Sequence, residues 1–196
     1  FIKLCGNWGD PMGCDVIADI CEWFISESSK VRIDISTNGA IGKPKTYQRL
    51  GKMGVNIVFG LDGSDQESNQ LYRRNVKWSD AMDNLKAYSS ECTAKDSSWQ
   101  YLLYDENKNH LESAIKIAIE NKIKFFTIIE RPVPFAAGRH ESLDKLSGKH
   151  EIIKREGQQL PVYFSGRRET GDHNDVEYIL TPAFDMSEKV KELKEK

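Results

Sequence analysis

Strand-like and helix-like segments alternate along the first 130 residues. Short runs rich in β-branched and aromatic residues are typical of strands, and longer segments whose apolar residues recur every three or four positions are typical of helices. Strands are predicted at Ile2–Cys5, Val31–Ile35, Val55–Phe59, Trp99–Tyr104 and Phe125–Ile129, and helices at Asp15–Ser26, Lys45–Met53, Trp78–Ser89 and Asn109–Asn121. Because each strand is followed by a helix long enough to cross over the sheet, the pattern predicts an α/β fold of parallel strands, as a sheet or a partial barrel.

The alternation ends at Arg131-Pro132-Val133-Pro134, where two prolines interrupt regular backbone hydrogen bonding. We therefore predict an α/β core over residues 1–130 and a polar C-terminal extension over residues 131–196 that could close the mouth of a barrel. In parallel α/β folds the functional loops follow the strands, so one rim should collect the loops at 6–13, 36–42, 60–75 and 105–109.

Composition and charge narrow the class of protein. The chain has 196 residues, 39% of them hydrophobic, which is typical of a folded domain, and its formal net charge is −2. This balance gives no electrostatic footprint for nucleic acid or an anionic membrane, and no run is apolar enough for a transmembrane helix or a signal peptide. We expect a cytoplasmic protein with neither a nucleic acid nor a membrane as partner.

The cysteines and the first residue add two expectations. Cys5, Cys14, Cys21 and Cys92 have neither zinc-site nor disulfide-framework spacing, so reduced thiols, with Cys14 and Cys21 as apolar filler, are expected. The chain begins with Phe1 directly in a predicted strand, which suggests a fragment or a processed chain.

Two loops at the predicted rim carry polar groups between glycines. In Gly6-Asn7-Trp8-Gly9-Asp10-Pro11, Asp10 offers a fixed carboxylate for an amine, or else it caps a helical turn that begins at Pro11. Ser36-Thr37-Asn38-Gly39 offers hydroxyl and amide groups suited to a ribose or a carboxylate, or else Asn38-Gly39 is simply a turn dipeptide.

A third polar group follows the third strand. Asp62, in Phe59-Gly60-Leu61-Asp62-Gly63, is suited to binding hydroxyls, and Arg73 or Arg74 to binding a carboxylate through a bidentate pair. The alternative is a salt bridge within the loop.

Taken in order, Gly-x-x-Gly-Asp-Pro, Thr-Asn-Gly, Leu-Asp-Gly and Tyr-Arg-Arg resemble the radical S-adenosylmethionine superfamily over about residues 1–130. The similarity is closest to molybdenum-cofactor cyclases and to peptide-modifying enzymes with cysteine-rich extensions. The resemblance implies a partial (β/α)6 TIM-like barrel that holds S-adenosylmethionine and a [4Fe–4S] cluster. Reductive cleavage of S-adenosylmethionine there starts hydrogen abstraction from a substrate, with an electron donor such as a flavodoxin or ferredoxin as partner.

Residue by residue, the resemblance assigns cofactor binding to seven positions: Gly9, Asp10, Thr37, Asn38, Asp62, Arg73 and Asn107. Gly9-Asp10-Pro11 is similar to the family's Gly-Gly-Glu-Pro motif, whose carboxylate meets the methionine amine. Gly60 stands where relatives often have a serine that contacts the cofactor.

The family's Cys-x-x-x-Cys-x-x-Cys motif is absent from the chain. Because relatives carry it after the first barrel strand, we expect the cluster cysteines and that strand upstream of Phe1, and an inactive fragment without them. The sequence leaves the substrate open between a small molecule and a peptide, and for a peptide Arg131–His140 and Arg167-Arg168 are the candidate contacts.

Two other functions stay open. One is a non-radical βα-barrel enzyme that uses Asp10, Asp62 and Arg73 for acid–base work and anion binding. The other is a non-catalytic binding or scaffold domain.

Overall fold

The computed structural model describes residues 1–6, 9–130, 150–155 and 158–165. Its strands are β1 (Ile2–Leu4), β2 (Ile33–Thr37), β3 (Asn56–Gly60), β4 (Ser98–Leu103), β5 (Phe125–Glu130), β6 (His150–Arg155) and β7 (Gln158–Ser165). Its α-helices are α1 (Ile17–Glu27), α2 (Pro44–Lys52), α3 (Gln66–Gln70), α4 (Trp78–Ser90) and α5 (Leu111–Glu120), with 3-10 turns at Pro11–Gly13 and Lys108–His110.

The five strands and four helices predicted within residues 1–130 are all present, and their ends differ by a few residues. Helix α3 lies in a segment that we predicted as loop. Its sequence is polar throughout and has no apolar period, and it begins with a capping box in which Asp65 and Ser68 exchange hydrogen bonds. The cap, and not an apolar stripe, therefore starts this helix.

The sheet continues beyond residue 130. Its strand order is β1-β2-β3-β4-β5-β7-β6, with β1 to β5 and β7 parallel and β6 antiparallel to β7. The hairpin of β6 and β7, from the segment that we predicted as a polar C-terminal extension, thus adds two strands to the α/β sheet. The proline segment 131–135 lies outside the described residues.

Helices α1, α2, α4 and α5 all contribute to one hydrophobic core on one face of the sheet. The strands β1 to β5 follow one another in spatial order, and right-handed crossovers that step in a single direction place their helices on the same side. The opposite face of these strands is consequently not covered by the crossover helices.

Alternation along each strand decides which side chains enter the core. Ile35, Ile57, Phe59, Trp99 and Phe126 are fully buried on the helix-covered face, and the rings of Trp99 and Phe126 lie 5.7 Å apart. The residues between them, which are more polar, face the other way. The uncovered face is therefore where a polar ligand site can form.

Candidate functional site

A cavity of about 360 Å³ lies on the uncovered face, toward the carboxyl ends of the first four strands. This volume is within the range of sites for small molecules and cofactors. Its lining residues come from the loop after β1, from β2, β3 and β4, and from the segment after α3: Gly6, Asp10, Ser36, Thr37, Asn38, Val58, Gly60, Arg73 and Gln100.

Asp10 joins the first loop to the end of β2. Its Oδ1 accepts a hydrogen bond from the Met12 amide at 3.0 Å, which caps the 3-10 turn Pro11–Gly13. Its Oδ2 accepts from the Thr37 hydroxyl and from the Asn38 amide, each at 2.8 Å. The predicted cap is thus confirmed, and because a carboxylate has about four acceptor positions, one position on Oδ1 is left for a ligand.

The turn at Asn38-Gly39 is held in place by contacts with α4 and β3. Gly39 has a φ of +79°, and an added Cβ would come within 3.2 Å of the Phe59 ring. Asn84 of α4 donates to the Gly39 carbonyl oxygen at 2.8 Å, and the Asn38 Oδ1 accepts from the Ala40 amide. The turn is therefore both a tight turn and one wall of the cavity.

The Thr37 hydroxyl is engaged by the protein on several sides. It donates to Asp10, accepts from the Gly39 amide at 3.1 Å and lies 3.3 Å from the Tyr47 hydroxyl. Burial raises the pKa of Tyr47 well above its ordinary value, so Tyr47 stays protonated and donates to the Ile41 carbonyl oxygen. Thr37 consequently holds Asp10 in orientation.

Arg73, which lines the cavity, forms a salt bridge with Asp62, which lies behind the cavity wall. The Arg73 Nε donates to the Asp62 Oδ2 at 2.6 Å, and the Asp62 Oδ1 accepts from the Leu102 amide at 2.8 Å. The Asp62 side chain is completely buried, whereas the Arg73 side chain is 27% exposed and lines the cavity. The structure thus confirms the loop salt bridge and also leaves the guanidinium facing the cavity.

Asn107 acts as a brace between the ends of β3 and β4. Its Nδ2 donates to the carbonyl oxygens of Asp62 and Leu102 at 2.9 and 2.7 Å, and its Oδ1 accepts from the Tyr104 amide. The side chain is fully buried and does not line the cavity.

Of the seven residues assigned by resemblance, four line the cavity together: Asp10, Thr37, Asn38 and Arg73. Gly9 is the exposed neighbour of Asp10 and has a φ of +131°, and Asp62 and Asn107 lie behind the wall. Whether any of the seven binds a cofactor stays a prediction. The segments 131–140 and 167–168, which we predicted to contact a peptide, lie outside the described residues.

Sequence reasoning missed Gln100 and Val58 as cavity residues, and did not single out Ser36 within its motif. Gln100 lies between the buried aromatics Trp99 and Tyr101 on β4, so alternation alone places its side chain on the other face of the sheet. A polar residue at such a position was the available signal.

The two charged groups of the cavity have opposite sign. Asp10 follows β1 and Arg73 follows β3 and α3, and the polar end of β2 lies between them. A carboxylate with a remaining acceptor position and a guanidinium are complementary to a ligand that carries both an ammonium and a carboxylate group.

The described residues provide no group of three side chains that could hold a metal ion. Cys5 is exposed, Cys14 and Cys92 are half-buried, and Cys21 is buried. Burial raises the pKa of the Cys21 thiol to about 12, which disfavours the thiolate that metal binding requires. The described residues therefore do not fit a [4Fe–4S] cluster. Among the helices of the described part of the chain, none is long and apolar enough to cross a membrane.

The chain is similar in fold to a solved structure of an S-adenosylmethionine-binding protein, which confirms the predicted resemblance at the level of the fold. Three of the similar solved structures are of SuiB from Streptococcus suis. SuiB bound to S-adenosylmethionine and SuiB alone match 85% of this chain at 17% and 18% identity, each with a TM-score of 0.58. SuiB bound to the precursor peptide SuiA matches 66% of the chain at 20% identity, with a TM-score of 0.52.

This chain covers 28% to 39% of the length of those SuiB chains. No family model matches the chain, and no curated protein matches it either.

Proposed function

We propose that the chain is the S-adenosylmethionine-binding part of a radical S-adenosylmethionine enzyme. The observation that carries the proposal is that Asp10 and Arg73, of opposite charge, line the same cavity. S-adenosylmethionine ends in an α-ammonium and a carboxylate, the two groups that this pair complements. A related fold, SuiB, has been solved with S-adenosylmethionine bound, which supports the same ligand here.

In this proposal Asp10 accepts a hydrogen bond from the methionine ammonium through its remaining Oδ1 position. Arg73 pairs with the methionine carboxylate, and Thr37 and Asn38 keep the Asp10 carboxylate turned toward the cavity. Gln100 and Ser36, on the floor of the cavity, offer hydrogen bonds to the ribose or the base. Asp62 and Asn107 support the wall from behind.

S-adenosylmethionine supplies an adenosyl group that yields a radical when it is reductively cleaved, as the family resemblance implies. The described residues do not provide the iron–sulfur ligands, so their proposed part in this chemistry is to bind and orient S-adenosylmethionine. We also propose that these strands and helices belong to a partial (β/α)6 barrel. The placement of the crossover helices on one face of the sheet supports this fold. A flavodoxin- or ferredoxin-like electron donor remains a proposal from the resemblance.

For the substrate, we favour a peptide over a small molecule. SuiB, whose fold this chain shares, has been solved bound to a precursor peptide. The assignment rests on that similarity.

The proposal is tested by comparing two ligands in a calorimetric binding assay: S-adenosylmethionine and its decarboxylated analogue, which keeps the amine but lacks the carboxylate. The unmodified protein should bind S-adenosylmethionine at least about tenfold more tightly than the decarboxylated analogue. This difference is the usual contribution of a hydrogen bond to a charged group. Arg73→Ala should remove this preference. Arg74→Ala is the matched control, because Arg74 is exposed and outside the cavity.

Removal of Arg73 also breaks a salt bridge to the buried Asp62 carboxylate, and the loss of one partner of a buried salt bridge typically costs about 3–5 kcal/mol in stability. The double variant Asp62→Asn, Arg73→Ala therefore accompanies the single one. Equal affinity of the unmodified protein for the two ligands would contradict the proposal. If neither ligand binds, the non-radical enzyme and the scaffold domain become the better explanations.

A further inference from the structure

The guanidinium of Arg73 occupies the space in which a side chain at position 60 would lie. A Cβ added to Gly60 would be 2.9 Å from the Arg73 Nη2 and 3.4 Å from its Cζ. Real carbon–nitrogen contacts are near 3.5 Å or longer, so any side chain at this position forces the guanidinium to move by about 0.5 Å or more. Gly60 therefore makes room for Arg73.

Backbone strain gives no reason for glycine at position 60. Gly60 is the last residue of β3 and has no positive φ, so other residues can adopt its conformation. The next nearest obstacle to a Cβ is the Thr37 carbonyl oxygen, at an ordinary distance of 3.5 Å. The cost of a side chain here falls on the far end of one arginine.

Asp62 fixes the same guanidinium from the other side. Its buried Oδ2 binds the Arg73 Nε, while its Oδ1 is held by the Leu102 amide of β4. The carboxylate is thus anchored to the sheet, and it positions the arginine without lining the cavity itself.

We infer that Gly60 and Asp62 are positioning residues that set the Arg73 guanidinium for the carboxylate of the ligand. Asp62 then acts through Arg73, in place of the direct cofactor contact assigned to it by resemblance. The inference rests on the proposed function, since it takes the ligand carboxylate as the partner of Arg73. Binding groups must be held within about 0.5 Å of their productive place, which is the displacement that a Cβ at position 60 imposes.

The test uses Gly60→Ala and Asp62→Asn in the same two-ligand assay. Each variant should reduce the preference for S-adenosylmethionine over its decarboxylated analogue from about tenfold or more to about threefold or less. Affinity for the decarboxylated analogue should stay unchanged. Gly13→Ala is the matched control, because an added Cβ there meets only the Ile41 Cγ2 at 3.8 Å.

Thermal unfolding separates positioning from a structural role. Gly60→Ala should unfold within about 3 °C of the unmodified protein, because the lower entropy of the unfolded chain offsets the cost of displacing the guanidinium. Gly60→Ala with a full preference for S-adenosylmethionine would overturn the inference and leave the proposed function intact. An unmodified protein without the preference would instead remove the proposed function, and the inference with it.

Discussion

Substitution of Asp10 by asparagine separates the two roles that the structure gives this residue. If the amide oxygen faces Thr37 and Asn38, those two hydrogen bonds are kept, and the amide nitrogen then faces the Met12 amide, which is also a donor. The cap of the turn at Pro11–Gly13 is lost. We expect the free energy of unfolding to fall by about 1–2 kcal/mol, the usual cost of a lost cap.

The same substitution removes the negative charge that the ligand ammonium would meet. A hydrogen bond to a charged group contributes about 1.5–3 kcal/mol, so the dissociation constant for S-adenosylmethionine should rise by roughly 10- to 150-fold. Calorimetric titration measures this change, and urea unfolding measures the stability of the same preparation.

Asp34→Asn is the matched control for Asp10→Asn. Asp34 lies on the uncovered face of the sheet, which also carries the cavity, but it does not line the cavity. It is largely buried and accepts hydrogen bonds from Asn56 and Arg32. It should lose stability without a change in affinity. An Asp10→Asn protein that loses stability while its affinity stays within about twofold would show that Asp10 is a cap alone.

Three further predictions concern the residues around the cavity and the core. Asn107→Ala should lower the free energy of unfolding in urea by about 3 kcal/mol, since buried groups lose their partners, and should leave the preference between the two ligands unchanged. At pH 8 an alkylating reagent should label the exposed Cys5 in the folded protein and Cys21 only after unfolding, because burial raises the pKa of Cys21 to about 12. Peptide mass mapping locates the label. Gly51→Ala should cost about 1–3 kcal/mol, since its Cβ would lie 2.6 Å from the Tyr88 carbonyl oxygen on packed backbone; unchanged stability would contradict the packing of α2 on α4.

Local patterns in the sequence predicted the βα order of the first 130 residues and the loops in which polar groups collect. Both follow from local information, because the periods of two and of three to four residues report which elements form. The rule that parallel strands present their carboxyl ends at one edge then placed Asp10, Thr37, Asn38 and Arg73 in one region. The sequence also suggested both roles of Asp10, as a cap and as a partner for an amine. The structure shows that the capping carboxylate keeps one acceptor position for a ligand.

Which polar residues line the cavity depends on how the helices and strands pack together. Ser36 and Gln100 belong to it because the helices cover the opposite face, and no single strand contains that information. The meeting of Arg73 with Gly60, the anchoring of Asp62 by β4 and the place of β7 beside β5 join residues far apart in sequence. Such contacts depend on how separate elements pack, because a local period fixes the face of an element but not its neighbour.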